Sequence, residues 1–579
     1  MSARKIGVYV CQCGGNIGDY VDVDEVVAQV AKEPGVVVAK TAMFTCSDST
    51  QQEIVQDAHE QGLDGLVVAS CSPKLHTYTF RDVARRAGMN PFQYTQVNVR
   101  EQCSWTHTDD HEGATQKALR LVRAGINRTR LTEPLEPIVV KTTPKSLVVG
   151  GGVAGLRAAL GLAQVGLSVF LLEKEPKLGG WVAGFAEMYP HGRDGRALIA
   201  ELEKAVRSHP GVTVFTSAEL VAKSGSFGNY QVTIAIHGDQ LETIQVEVGS
   251  IVVATGFDTY QPEEGELGYG LDGVMTIAEF KRMVEESAGA LEHNGRPVKT
   301  VAYIYCVGSR QGEEVDDPNT YCSRYCCNAA THASLQVAGK PGKVHQYHFY
   351  RDMRTYGTFE TLYAESLEKG SAYVKYPDGE PPAVERDAKT GRLTLTARDL
   401  LSEGEEVALE ADLVVLVTGM VPRENQGLTK TLKLPVGQTG FFNEIHPKLR
   451  PVETVVDGVY ICGACQAPRN SAESVASGLA AVSQSAAILK RGFAELDPLV
   501  ATVDPVACTW CGECQDTCPY DAISMEQQDG TEFAVIAKTA CKGCGGCVPV
   551  CPAGAIDLQG YTDAQIRAMI DGMLGVSCS

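Results

Sequence analysis

Three things are scarce in this 579-residue chain, and each scarcity excludes a class of protein. No apolar run approaches the roughly 20 residues that a membrane-spanning helix requires. Basic residues are outnumbered, 51 Lys and Arg against 71 Asp and Glu for a net charge of −20, so a nucleic-acid-binding surface is not expected. A signal peptide is also not expected, because Met1-Ser-Ala-Arg-Lys-Ile-Gly7 enters a strand directly. A cytoplasmic protein without a membrane anchor is the expectation, with a membrane-bound partner left open. The rest is an ordinary globular composition, 44% hydrophobic and 21% charged, over a length that calls for three or four domains.

Cysteine is the residue in surplus. In a long chain with no signal peptide, 20 cysteines read as metal ligands rather than as a disulfide framework. They are grouped: Cys11, Cys13, Cys46, Cys71 and Cys103; Cys306, Cys322, Cys326 and Cys327; Cys462 and Cys465; then eight between Cys508 and Cys551, with Cys578 apart.

The chain is organised around Ser146-Leu-Val-Val-Gly-Gly-Gly-Val-Ala-Gly-Leu-Arg157, a strand, a glycine turn and a helix. Gly150, Gly152 and Gly155 fit G-x-G-x-x-G, with Val153 and Ala154 opening a helix whose N-terminus suits phosphates. The strand Val169-Phe-Leu-Leu-Glu173 comes next, and Glu173, with Lys174 beside it, stands where a ribose-binding acid is expected. Gly179, Gly180 and Trp181 supply a second place for backbone to approach a flavin pyrophosphate. Two strand-Thr-Gly exits, ending Ala254-Thr255-Gly256 and Thr418-Gly419, predict an FAD domain that is interrupted and resumed, closing through Gly463 and Ala464. A nicotinamide-dependent flavoprotein would carry a second glycine fingerprint after Thr300-Val-Ala-Tyr-Ile-Tyr305, but Cys306-Val-Gly-Ser-Arg310 stands there instead. Cys306, Cys322, Cys326 and Cys327 suit one [4Fe–4S] cluster, so electrons are expected to reach the flavin from iron–sulfur centres.

Upstream, strands and helices alternate, and Cys11, Cys13, Cys46, Cys71 and Cys103 fall near strand ends, where an open sheet gathers its loops. A cluster site is expected there, with one cysteine more than a Cys₄ cluster needs and the choice between Cys11 and Cys13 open. Downstream, Cys508, Cys511, Cys514 and Cys518 form one C-x₂-C-x₂-C-x₃-C-P run, and Cys541, Cys544, Cys547 and Cys551 a second. In this ferredoxin pattern the fourth cysteine of each run ligates the other cluster, pairing Cys551 with the first three and Cys518 with the second three.

The expected fold is α/β: an N-terminal iron–sulfur domain (1–130), a linker (131–144), a Rossmann-type FAD domain (145–290 and 406–492) interrupted by an inserted domain (291–405), and a C-terminal 2[4Fe–4S] ferredoxin domain (493–579). Cys462-Gly-Ala-Cys465 has the spacing of a redox dithiol but stands where flavoproteins bind flavin, so small buried thiols are the preferred reading.

These motifs together resemble the HdrA family, the A-type subunits of heterodisulfide reductase. Cys11-Gln-Cys-Gly-Gly-Asn16, Cys71-Ser-Pro73, Arg100-Glu-Gln-Cys-Ser-Trp105, Tyr321-Cys-Ser-Arg324, Asp352-Met-Arg-Thr-Tyr-Gly357 and His446-Pro-Lys-Leu-Arg-Pro-Val-Glu-Thr454 carry the resemblance alongside the FAD fingerprint and Cys306-Val-Gly-Ser-Arg310. It implies a thioredoxin-reductase-like FAD domain, one FAD, four [4Fe–4S] clusters and a role in flavin-based electron bifurcation or confurcation. It also implies partners: HdrB- and HdrC-like subunits, ferredoxin, a hydrogenase-, formate- or NADH-linked electron-input subunit, and a dimer of heteromeric complexes. Lys448, in the His-Pro-Lys-Leu-Arg stretch, is the expected cation beside the flavin ring. Methanogen members of that family carry an extra ferredoxin insert that this chain is expected to lack, since Trp181 to Val214 contains no cysteine. The rival functions are a non-bifurcating electron relay and a disulfide oxidoreductase using Cys462 and Cys465.

Overall fold

The computed structural model describes residues 4–238, 240–313, 315–387 and 390–575; Cys578 lies outside them. The chain divides into two compact units, residues 141–494 forming one and the two ends of the chain forming the other.

In the N-terminal part, β1 (Ile6–Cys11), β2 (Val36–Ala42), β3 (Gly65–Ser70) and β4 (Tyr94–Asn98) make a parallel sheet in the order β2-β1-β3-β4. β1 and β3 read as continuous apolar runs because every residue in them is buried, as parallel strands covered on both faces require. Helices α1 (Val23–Val30), α2 (Asp48–Gln61), α3 (Pro73–Arg86) and α4 (His111–Arg130) connect and cover them. Helix α2 starts at Asp48 because the Ser47 hydroxyl caps it by accepting from Thr50 N–H. The strand order reverses between β1 and β3, so the loops carrying Cys11, Cys13 and Cys71 open onto the switch point.

The larger unit holds two halves of the same plan. In the first, β5 (Lys145–Val149), α5 (Val153–Gln164), β6 (Ser168–Leu172), β7 (Val212–Phe215) and β8 (Ser250–Val253) begin a parallel sheet. A three-stranded antiparallel meander spans Ala218–Ser226, Asn229–His237 and Leu241–Val248. In the second half, β9 (Val274–Thr276), β10 (Thr300–Val307), α6 (Cys326–Ala338), β11 (His345–Tyr350), β12 (Ala372–Lys375) and β13 (Leu413–Thr418) form a parallel sheet ordered β9-β13-β10-β11-β12. A second meander spans Ala383–Arg386, Leu393–Asp399 and Glu405–Ala411. β14 (Val459–Ile461) then completes the first sheet as β14-β8-β5-β6-β7, and α7 (Ser471–Leu489) packs on α5.

This pairing corrects the expected boundaries. Val274–Thr276 already belongs to the inserted half, and Leu413–Thr418 lies between β9 and β10 in its sheet, so the chain does not return to the first half at residue 406. The two crossings run side by side, as Phe257–Thr259 and Met420–Pro422 pair antiparallel.

The C-terminal part is a small fold built on a hairpin of β15 (Ile523–Gln528) and β16 (Thr531–Ile536), with α8 (Asp563–Leu574) after it. It joins the N-terminal part in one unit rather than standing alone. The Asn127 amide of α4 donates to the Ala568 carbonyl of α8, Gln565 donates to the Leu131 carbonyl, and the buried Arg128 donates to the Gly560 carbonyl while its guanidinium lies 4.2 Å from the centre of the Tyr561 ring. Gly572 sits against the α4 backbone, where a side chain would collide with Arg123. Among the described residues, no helix is long and apolar enough to cross a membrane.

Candidate functional site

The glycine turn after β5 is shaped by contact, not by flexibility alone. Gly150 is left-handed (φ 111°), and a Cβ there would strike the Ala254 carbonyl; a Cβ on Gly155 would strike the Gly150 carbonyl. Gly152, by contrast, faces open space at the start of α5, as a position that admits a pyrophosphate should. Gly179 (φ 115°) bonds back to the Gly151 carbonyl at 2.8 Å, and Gly180 lies against the Gly152 backbone, so the two glycine loops face each other. Glu173 is buried and accepts from Gly151 N–H at 2.6 Å and Glu175 N–H at 2.9 Å, fixing the turn while its oxygens keep lone pairs for a ribose. Val153, Ala154 and Ala254 are buried beside it, and the Thr255 hydroxyl is buried without a hydrogen-bond partner next to the left-handed Gly256. Trp181 donates to the Phe257 carbonyl and stacks on its ring. Gly463 (φ 74°) packs on Ala154 and donates to the Ser477 hydroxyl, and Ala464 comes next, buried. This set forms a cradle whose donors and orphaned hydroxyl fit a dinucleotide.

Two expected flavin-site residues, Thr418 and Gly419, fall in the inserted half. They end β13: the Thr418 carbonyl accepts from Tyr325 Oη and Cys326 Sγ, and Gly419 packs on Ser323 and Ser309. Lys448 is exposed on a turn closed by a bridge between His446 and Arg450. Lys174 is also exposed, 3.9 Å from Glu219.

In the inserted half, β10 occupies the place of β5, between the counterparts of β6 and β8. The short glycine turn is replaced by residues 308–325, and the next helix begins with Cys326 and Cys327. Cys306, Cys322, Cys326 and Cys327 line one cavity. Cys306 (φ 64°), Arg310 (φ 54°) and Arg324 (φ 59°), also in its wall, hold left-handed backbone, a conformation that non-glycine residues adopt at a cost. Backbone N–H groups point at the sulfurs, Arg324 to Cys322 at 3.3 Å and Arg354 to Cys327 at 3.4 Å. Burial, with the neighbouring cysteines adding to it, pushes the Cys327 thiol up to about 12 and Cys326 well above its ordinary range. Four thiolates gathered this closely need cations among them, which is what a cluster's irons provide.

In the C-terminal part, Cys518, Cys541, Cys544 and Cys547 line a single cavity, the grouping that the ferredoxin spacing predicts. Cys514 is influenced by Cys508 and Cys511, while Cys508 and Cys551 accept from the N–H groups of Ala534 and Ala555.

In the N-terminal part, the loops after β1, β2 and β3 bring four cysteines into mutual influence. Cys46 is raised by burial and then by Cys11, with Cys13 adding to it; burial pushes Cys71 up to about 11, opposed by Arg100 and assisted by Glu101, Cys13 and Cys11. Arg100 donates to Cys13 Sγ at 3.5 Å, Thr45 N–H to Cys11 Sγ at 3.4 Å, and the Thr45 hydroxyl is buried without a partner. Cys103 is set apart. It is fully buried, and its thiol donates to the Ala114 carbonyl of α4 at 2.9 Å. Cys103 is the one of the five that packs against a helix in this way.

Cys462 and Cys465 are buried, Cys465 Sγ donating to the Cys462 carbonyl at 3.1 Å, and burial raises both thiols, the opposite of activation. Sequence reasoning also missed Gln466, whose Oε1 is buried without a partner just past Gly463, and Arg310. Motif spacing carries no signal for either.

Residues 148–202 match the model of an NAD(P)-binding Rossmann-like domain, and 507–555 that of a 4Fe-4S dicluster domain. The second iron-sulfur A-subunit of CoB–CoM heterodisulfide reductase from Methanopyrus kandleri is 35% identical over 607 aligned residues, covering 91% of this chain and 92% of its own. The chain belongs to the HdrA family of heterodisulfide reductase subunits. Another member, the A-subunit of H2/formate:CoB-CoM heterodisulfide,ferredoxin reductase from Methanococcus maripaludis, is 34% identical over 660 residues, with 100% of this chain and 99% of that one covered. Both alignments are longer than the 579-residue chain, so these family members carry segments without a counterpart here. Among solved structures, the thioredoxin reductase of T. acidophilum aligns with 60% of this chain and 99% of its own at 15% identity and a TM-score of 0.41. As a member of the HdrA family the chain is an oxidoreductase subunit that transfers electrons.

Proposed function

We propose that this chain is the FAD- and iron–sulfur-containing electron-transfer subunit of an HdrABC-like complex, and that electrons divide or merge at its flavin between a two-electron donor, a low-potential ferredoxin and an acceptor of higher potential. Bound FAD exchanges two-electron for one-electron chemistry, and four [4Fe–4S] clusters supply one-electron sites of differing potential. Gly150, Gly152, Gly155 and Gly180 would admit the pyrophosphate, Glu173 the ribose, and Thr255, Gly463 and Gln466 would face the remainder of the group. Cys11, Cys13, Cys46 and Cys71 would hold one cluster, the cavity thiols of the inserted half a second, and the two ferredoxin sets the others. The observation that carries the reading is the inserted half itself, where four thiols stand at the position a second dinucleotide turn would take. Relatives whose names join hydrogen or formate, the CoB–CoM heterodisulfide and ferredoxin support a place in such a complex, with HdrB- and HdrC-like subunits, ferredoxin and an electron-input subunit as partners in a dimeric assembly.

Two measurements test this. Anaerobic purification with co-purifying subunits identified should return about sixteen iron atoms and one FAD per chain; about eight would restrict clusters to the ferredoxin part. Potentiometric titration of the flavin should show crossed one-electron potentials. Potentials in the ordinary order would make the chain a non-bifurcating relay.

A further inference from the structure

The cavity of the inserted half contains an arginine that its surroundings only partly use. Arg310 lies beyond β10 and lines the cavity with the four thiols, its side chain only 14% exposed. Its Nη2 pairs with Asp352 at 2.8 Å and lies 3.8 Å from Asp378, but its Nη1 is buried and has no hydrogen-bond partner. Burial acts against its charge, and Cys306, Asp352 and Asp378 support it. Arg351 pins the loop by donating to the carbonyls of Ser309 and Arg310.

Charge around the cavity is unbalanced. Asp352 is shared by Arg310, Arg354 at 3.7 Å and Lys375 at 3.6 Å, and Asp378 by Arg310 and Arg351 at 3.3 Å. Four cations thus share two carboxylates beside four thiols, and Arg324, also in the wall, pairs with Glu473 at 2.6 Å. The lining of the ferredoxin cavity has Lys542 and no guanidinium; the rest is mostly small or apolar. A cluster gains negative charge on reduction, so a fixed cation and an N–H donor at its sulfurs favour the reduced form.

We infer that Arg310 tunes the cluster held by Cys306, Cys322, Cys326 and Cys327, donating from Nη1 to one of its sulfurs so that this cluster is reduced at a higher potential than the cluster held by Cys518, Cys541, Cys544 and Cys547. The inference rests on the proposed cluster assignment and adds the residue that ranks the sites. It gives the protein clusters of unequal potential without any difference in ligand type.

The test is an anaerobic redox titration of the full-length protein monitored by electron paramagnetic resonance. The inserted cluster's signal is identified as the one that Cys322→Ser removes. Arg310→Gln is expected to lower its midpoint by at least a tenfold change in the one-electron equilibrium, about 59 mV, and Arg310→Lys by less. Asp352→Asn, which frees the guanidinium, is expected to raise it, a sign that loosened packing would not produce. The ferredoxin signals should stay in place. An unmoved midpoint in Arg310→Gln overturns the inference and leaves the cluster assignment intact. If Arg310→Gln loses the signal, Asp352→Asn decides: a midpoint that falls or stays overturns the inference. A Cys322→Ser protein with every signal retained overturns the cluster assignment itself.

Discussion

The two halves of the larger unit share a five-stranded parallel sheet and a three-stranded meander, yet differ completely in the connection that leaves the equivalent strand. After β5, left-handed Gly150, open Gly152 and tightly packed Gly155 bring a helix N-terminus up to the cradle. After β10, residues 308–325 form a longer excursion that delivers Cys322 and lets the helix open on Cys326 and Cys327. The sheet supplies a switch-point crevice in both halves, and the strand-to-helix connection decides whether it fits a dinucleotide or a metal cluster.

Breaking either half should leave the other's cofactor in place. The largest effect is expected from Gly155→Val, because the new side chain would be driven into the Gly150 carbonyl. Flavin absorbance should vanish at a cost of about 3 kcal/mol or more in stability, while the iron of the ferredoxin part remains. Next, Cys326→Ser with Cys327→Ser should remove about four iron atoms per chain with flavin content unchanged, measured by iron and flavin analysis of the same sample.

A pH dependence should separate the inserted half from the ferredoxin part. His348, sandwiched between Tyr303 and Tyr373, is held down to about 3 by burial, and His332 to about 4 by burial and Lys281. Residues 495–579 contain no histidine. The unfolded chain takes up a proton below about 6.5 that folded His348 refuses until about 3, so stability is complete above that window and falls with pH across it, by up to about 1.4 kcal/mol per pH unit. Thermal unfolding monitored between pH 7 and 5 should show the inserted half yielding before the ferredoxin part, and His348→Gln should flatten the slope. The smallest effect is expected from Cys462→Ser with Cys465→Ser. Flavin reduction by the physiological donor should stay within roughly twofold, far from the tenfold that 1.4 kcal/mol would give; a larger loss would make the pair a redox dithiol.

Local patterns are legible in the sequence. Gly150, Gly152 and Gly155 act through a few neighbouring residues, and the ferredoxin runs group Cys518 with Cys541, Cys544 and Cys547 by spacing alone, as their shared cavity has it. Non-local choices are not legible. Val253-Ala-Thr-Gly256 and Val417-Thr-Gly419 look like copies of one exit, but strand pairing puts the second in the inserted sheet, and nothing within it names its neighbours. Cys103 sits beside Trp105 much as the other N-terminal cysteines sit by their loops, and only the packing of α4 takes it away from them. Arg310 lies in Cys306-Val-Gly-Ser-Arg310, yet its orphaned nitrogen exists only in three dimensions.

The central claim, one dinucleotide half and one cluster half on a common plan, is tested most directly by the iron-to-flavin ratio of anaerobically prepared wild-type and Cys322→Ser protein. The account predicts about sixteen iron atoms per flavin in the first and about twelve in the second, with flavin unchanged. Equal iron in both proteins, or two dinucleotides bound per chain, would contradict it.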